Sequence, residues 1–182
     1  MDYVALACRV LVGAVFVVSF ATKVSPGALQ NFAESLRDMK VLPASVVRMA
    51  AVGVVVAEAA VVGMLAWPAS VRAGAVLAGL LLVAFSAAIA LSLAQNTKAS
   101  CRCFGAGGGR LGVRHVVRNV FLFGAAGVVV AGGGTAPADA AMAVAAAGAG
   151  AVAALFVLGM DPVVELFGRR GDVVGEKPTW HS

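Results

Sequence analysis

Charge is what this sequence has least of. Only 13% of its 182 residues are Asp, Glu, Lys or Arg, against about a quarter in a soluble domain. With 61% hydrophobic residues and a mean hydropathy of +0.96, the composition excludes an ordinary soluble domain and indicates one integral membrane domain. Three cysteines exclude a disulfide scaffold. Aromatics are 7% of the chain and are not interleaved with basic residues, so a nucleic-acid partner is not expected. The net charge of +5 fits loops facing anionic lipid. The N-terminus has no basic n-region and its first apolar run is long enough to span, so no cleavable signal peptide is expected. No series of roughly ten-residue alternating strands is present, which argues against a barrel.

Apolar runs of about 20 residues are what remains, and each is long enough for a membrane helix. The first is expected over residues 3–22, with Arg9 inside it and Lys23 closing it. Ser25-Pro26-Gly27 reads as a helix break. Residues 28–40 then place Leu29, Phe32, Leu36 and Met39 at near-helical spacing among charges, as in a helix lying in the interface or a solvated loop helix. Further spans are expected over residues 46–67, 71–93 and 113–131, with Trp67-Pro68 a typical interfacial end. A fifth, over 140–160, is rich in Ala and Gly, which favours close helix approach. Asp161-Pro162 is expected to end it, leaving a polar, loosely held tail over 161–182. Lipid offers unpaired backbone groups no partner, so the fold class is an all-α polytopic bundle of four or five spans.

Five spans put nearly every basic residue on one face. The gap after the first span holds Lys23, Arg37, Lys40 and Arg48. The gap after the third holds Lys98, Arg102, Arg110 and Arg114, and the tail holds Arg169, Arg170 and Lys177. The other side has Arg72, besides Arg9 within the first span. This distribution makes the basic face cytoplasmic, unless Lys23, Arg102 and Arg114 belong to a site and should not be counted.

Residues 94–112 are a polar, glycine-rich gap that carries Cys101-Arg102-Cys103-Phe104-Gly105. Thiol chemistry needs a thiolate, which neighbouring cations favour, and Arg102 stands between the two cysteines with Lys98 and Arg110 nearby. Cysteines at i and i+2 reach disulfide distance in an extended or turn conformation. The small ring is strained, so the bridge is readily reduced. An inert cysteine pair in a loop is the plainer alternative. Zinc wants four ligands and the nearest extra one is His115, so no metal is expected. Glycines 105, 107, 108 and 109 follow no strand and precede no Lys-Ser or Lys-Thr pair, and read as linker. Cys8 lies a span away, roughly 30 Å, and reads as a packing residue.

A charge inside a bilayer costs about 2.5–3.5 kcal/mol and is usually paired. Glu58 is the deepest such charge. Lys23 and Arg118, followed by Asn119, approach it from the cysteine end, and Arg9 from the other. A Glu58 ion pair serves as a proton relay, as a binding-site wall, or as a clasp that sets helix register; Arg9, near an end, could also snorkel.

These residues in order carry a resemblance. Arg9, Lys23, Leu42-Pro43, Glu58, the Cys101-x-Cys103-Phe104-Gly105 motif and the Arg118-Asn119 pair resemble the pattern of the methylamine utilisation protein MauE family, within the DoxX-like membrane proteins. The likeness covers about residues 3–131. It departs at Arg102, where such proteins usually carry glycine; arginine favours the thiolate and restricts the turn. The resemblance implies a four-helix membrane domain over 1–131; the fifth span, over 132–160, lies outside it and is expected from composition alone. It also implies a role in forming or handling disulfides of exported partners, beside thioredoxin-like proteins. That would put the cysteine loop outside the cytoplasm, against the charge count. The arrangement also resembles the vitamin K epoxide reductase class at fold level, which implies a quinone as electron partner.

On this reading the chain is a membrane thiol-disulfide oxidoreductase. Cys101 and Cys103 exchange electrons with a thiol partner, Arg102 tunes the thiolate, and Glu58, Arg118, Lys23, Arg9 and Asn119 support the bundle or move protons. The alternative is a non-catalytic assembly factor that docks a partner on the cysteine loop. A solute carrier built on Glu58 is disfavoured, because no inverted repeat or paired broken helices are evident.

Overall fold

A computed structural model describes residues 2–39, 42–94, 113–132 and 139–172. Among them every regular element is helical: α1 Asp2–Ala21, α2 Pro26–Asp38, α3 Val47–Ala66, α4 Val71–Ala94, α5 Val113–Gly132 and α6 Ala140–Asp172, with a 3₁₀ turn at Pro68–Ser70. Five of these helices are long and apolar enough to cross a membrane, so the chain is a polytopic helical membrane protein.

The helix boundaries bear out one reading of the sequence and correct another. Ser25-Pro26-Gly27 does lie at the break between α1 and α2, and it also starts the second helix. Ser25 is the N-cap of α2, its hydroxyl accepts from the Ala28 amide, and Pro26 takes the first helical position, where its missing N–H would have been unpaired anyway. Asp161-Pro162 does not end α6, which runs on to Asp172. Proline removes a single donor from the helix ladder, and membrane helices tolerate that loss.

Packing joins α1 to α3, α3 to α4, α4 to α5 and α5 back to α1, while α6 lies against α1. Four helices thus close a ring, and α6 is an outer fifth. The ring encloses a cluster that includes Val12, Val15, Phe16, Val61, Leu65, Leu82 and Leu122. Within lipid such packing rests on close fit more than on water exclusion, and glycines supply the fit. A β-carbon on Gly150 of α6 would collide with the Ala7 carbonyl of α1, and one on Gly74 of α4 would stand 2.9 Å from Met64 Cβ of α3.

The amphipathic helix α2 docks on α3. Its Phe32 is buried, packed with Ala51, Leu29, Val54 and Phe85. It lies between the C-terminus of α1 and the N-terminus of α3, at the bundle end where residues 95–112 join α4 to α5.

Candidate functional site: a buried ion pair inside the bundle

Lys23 and Glu58 meet inside the bundle. Lys23 is 1% exposed and Glu58 not at all. Their ion pair spans 2.9 Å from Nζ to Oε1. Ser19 completes the group, because its hydroxyl donates to Glu58 Oε1 at 2.8 Å and accepts from Lys23 Nζ at 2.6 Å. The ammonium also donates to the Ser19 carbonyl at 3.1 Å and stands 5.3 Å from the centre of the Phe32 ring, within cation–π range. An ammonium has three donors, and Ser19 O, Ser19 Oγ and Glu58 Oε1 receive them. Ser19 is in the last turn of α1 and Lys23 in the turn that follows it, from where the ammonium reaches back to Ser19 and across to Glu58 of α3.

Arg118 is close enough to Lys23 for their like charges to interact. Asn119, 4% exposed, donates from Nδ2 to Ser86 Oγ on α4 at 3.3 Å, and Ser86 donates in turn to the Leu82 carbonyl. Two acceptors, Glu58 Oε2 and Asn119 Oδ1, are buried without a hydrogen-bond partner among the described residues. At about 1.5 Å per residue, Glu58 lies roughly 16 Å into α3 and Asn119 roughly 9 Å into α5. Glu58 thus stands near the middle of α3, where its carboxylate meets Ser19 and Lys23 from the C-terminal end of α1, and Asn119 lies in the first half of α5.

Arg9 belongs elsewhere. Its Nε donates to the Leu65 carbonyl at 2.6 Å and its Nη2 to the Ala66 carbonyl at 3.1 Å. It thus satisfies carbonyls left over at the C-terminus of α3, where a cation is also favoured by the helix dipole. Leu65 is about two turns from Glu58, so these bonds hold Arg9 away from Glu58. Arg9→Leu removes two charge-assisted bonds and is expected to cost about 1.5–3 kcal/mol, read as a lower melting temperature in detergent. Arg9→Lys should recover part of that loss.

Cys8 is a free thiol packed against the main core cluster, as its reading as a packing residue expects. His115 is partly buried in the first turn of α5. Cys101, Arg102 and Cys103 lie outside the described residues. The sequence offered Lys23, Arg118 and Arg9 as groups near Glu58 without choosing among them; the structure pairs Glu58 with Lys23 and adds Ser19 and Ser86, which the sequence did not single out. The one available signal for Ser19 was its spacing of four from Lys23.

An apolar cleft of about 270 Å³ lies between α2, α3 and α4. Its walls, among them Leu36, Met39, Val54, Phe85 and Leu91, carry no side-chain donor for a quinone oxygen, so the residues of that cleft do not fit the quinone that the fold-level likeness implies.

The family model described as methylamine utilisation protein MauE matches residues 1–132. The match ends on the last residue of α5, so it covers the closed ring and leaves out α6. No curated protein and no solved structure matches the chain.

Proposed function

The chain is a multi-pass membrane protein that belongs to the methylamine utilisation protein MauE family, and from that membership we propose that it exchanges disulfides with a partner protein through Cys101 and Cys103. The observation that carries the reading is the buried Lys23–Glu58–Ser19 cluster, to which Ser19 and Lys23 come from the C-terminal end of α1. Retaining an ion pair within a membrane is costly and usually marks function.

The exchange balances without any further reactant. A partner thiolate attacks one sulfur of a Cys101–Cys103 bridge, the S–S bond breaks, and a mixed disulfide forms. The partner's second thiolate displaces that linkage. The partner leaves with a disulfide, and Cys101 and Cys103 leave as thiols carrying the two electrons and two protons. Run in reverse, the same step reduces a partner disulfide. Arg102 favours the thiolate form. Among the described residues Glu58 Oε2 has no hydrogen-bond partner and stands next to the Lys23 ammonium. The test is the redox state of co-expressed thioredoxin-like proteins, read by the mass shift of alkylated thiols. Replacing Cys101 and Cys103 together by serine is expected to change the ratio of disulfide to dithiol in the partner. An unchanged ratio, with activity in the cell kept, leaves partner docking as the role of the segment.

The segment's side of the membrane is a separate proposal. Lys23 is part of the buried cluster and drops out of the charge count. Setting aside Arg102 and Arg114 as well leaves Arg37, Lys40, Arg48, Lys98, Arg110, Arg169, Arg170 and Lys177 against Arg72. The bias survives, and it favours a cytoplasmic cysteine segment whose pair rests reduced. A membrane-impermeant thiol reagent is expected to label Cys103 only after the membrane is opened. Labelling in intact cells would place the segment outside, and would overturn the orientation while leaving the exchange chemistry standing.

A further inference from the structure

A cleft of about 440 Å³ opens between α2 and the start of α3, lined by Leu29, Val47 and Ala51 together with Glu34, Arg37 and Arg48. Three features of it are unusual in combination. First, its volume falls in the range of small-molecule sites. Second, it lies in the interface: α2 follows the end of one span and precedes the start of the next, which places it at headgroup level. Third, Glu34, Arg37 and Arg48 are all exposed and line one cleft, yet none takes part in the one ion pair found among the described residues, Lys23–Glu58. Two guanidinium groups and one carboxylate are thus held around one space without neutralising each other.

We infer that the α2–α3 cleft binds the headgroup of a phospholipid carrying both a phosphate and a primary ammonium, with the phosphate on Arg37 and Arg48 and the ammonium on Glu34. Guanidinium forks suit phosphate oxygens. Glu34 decides between headgroups. A headgroup that carries only negative charge gains from the arginines but meets the carboxylate, whereas a zwitterion with an ammonium matches both signs. A quaternary ammonium has no N–H to donate to Glu34 and fits less well. The apolar floor of Leu29, Val47 and Ala51 suits the glycerol end and the start of the acyl chains. This inference rests on the membrane placement of the chain and is independent of the thiol reading.

The test uses the full chain purified in a mild detergent. Phosphatidylethanolamine, phosphatidylglycerol and phosphatidylcholine are added in equal amounts, and retained lipid is read by native mass spectrometry. The wild type is expected to retain phosphatidylethanolamine preferentially. The double change Arg37→Gln with Arg48→Gln should lower that retention by roughly tenfold or more. Glu34→Gln should shift the preference to phosphatidylglycerol. All three side chains are exposed, so helical content and melting temperature should not move. Wild-type retention of phosphatidylglycerol equal to or above phosphatidylethanolamine would overturn the inference. So would undiminished retention in the double arginine variant, or displacement of the lipid by inorganic phosphate, which would mark a simple anion site.

Discussion

Lys23→Met and Glu58→Leu are each expected to destabilise the bundle by about 3–5 kcal/mol, while the double change recovers most of the loss. Either single change strands a charge that is almost wholly shielded from solvent. Removing Lys23 leaves Glu58 Oε1 with only the Ser19 hydroxyl, and removing Glu58 leaves the ammonium beside Arg118, which carries the same sign. The double change replaces both charges by apolar groups of similar size. Ser19 then turns its hydroxyl to a carbonyl one turn back, as serines in apolar helices do. Thermal unfolding in detergent, followed by helical signal, gives the cycle. A double variant no more stable than the singles would mean that the pair is not coupled. The same double variant separates the two roles open to Glu58. A clasp predicts a folded and active double variant, and a proton-handling group predicts one that is folded and inactive.

The second large effect is expected at the seam between α1 and α6. A β-carbon on Gly150 would meet the Ala7 carbonyl oxygen inside contact distance, and Val10 Cβ at 3.1 Å. The obstacle is α1 backbone, which cannot swing aside as a long side chain can, so α6 has to move. Gly150→Val is expected to unseat α6 and to leave the ring of α1, α3, α4 and α5 closed, because that ring makes its contacts without α6. Its melting temperature should fall to that of a chain ended after Asp139. Overpacking of this kind typically costs about 1–3 kcal/mol. A Gly150→Val protein as stable as the wild type would show that the seam is looser than the contact of Gly150 with Ala7 implies.

Much of the architecture was legible because membrane helices declare themselves by length and hydropathy. Each expected span matches its helix to within a residue or two at the N-terminal end. Punctuation was harder to read. Ser25-Pro26-Gly27 and Asp161-Pro162 both look like breaks; the first lies at a break and also caps the next helix, and the second is absorbed by α6. Local residue type does not say which, since both outcomes use the same chemistry of proline.

The site divides in the same way. That Glu58 needs a cationic partner was legible because a lone charge is costly in a bilayer, but the choice of Lys23 over Arg118 and Arg9 was not. Nor was Ser19, since an isolated serine in an apolar run satisfies itself on its own helix. Its role appears only when α1 is laid against α3. The partners of Arg9 were hidden for a different reason. They are backbone carbonyls of Leu65 and Ala66, and a carbonyl leaves no mark in the sequence. The Cys101–Cys103 motif is the reverse case, plain in the sequence and outside the described residues.

The most direct measurement is therefore trapping at that motif. Cys101→Ser and Cys103→Ser are made singly in the full chain, expressed in its own membrane, and quenched in acid before non-reducing electrophoresis and mass spectrometry. Whichever change removes the resolving thiol is expected to accumulate a mixed disulfide with a partner protein. That linkage should vanish on reduction and be absent when both cysteines are replaced. If neither single variant forms such a species while both keep wild-type activity, Cys101 and Cys103 do not exchange disulfides.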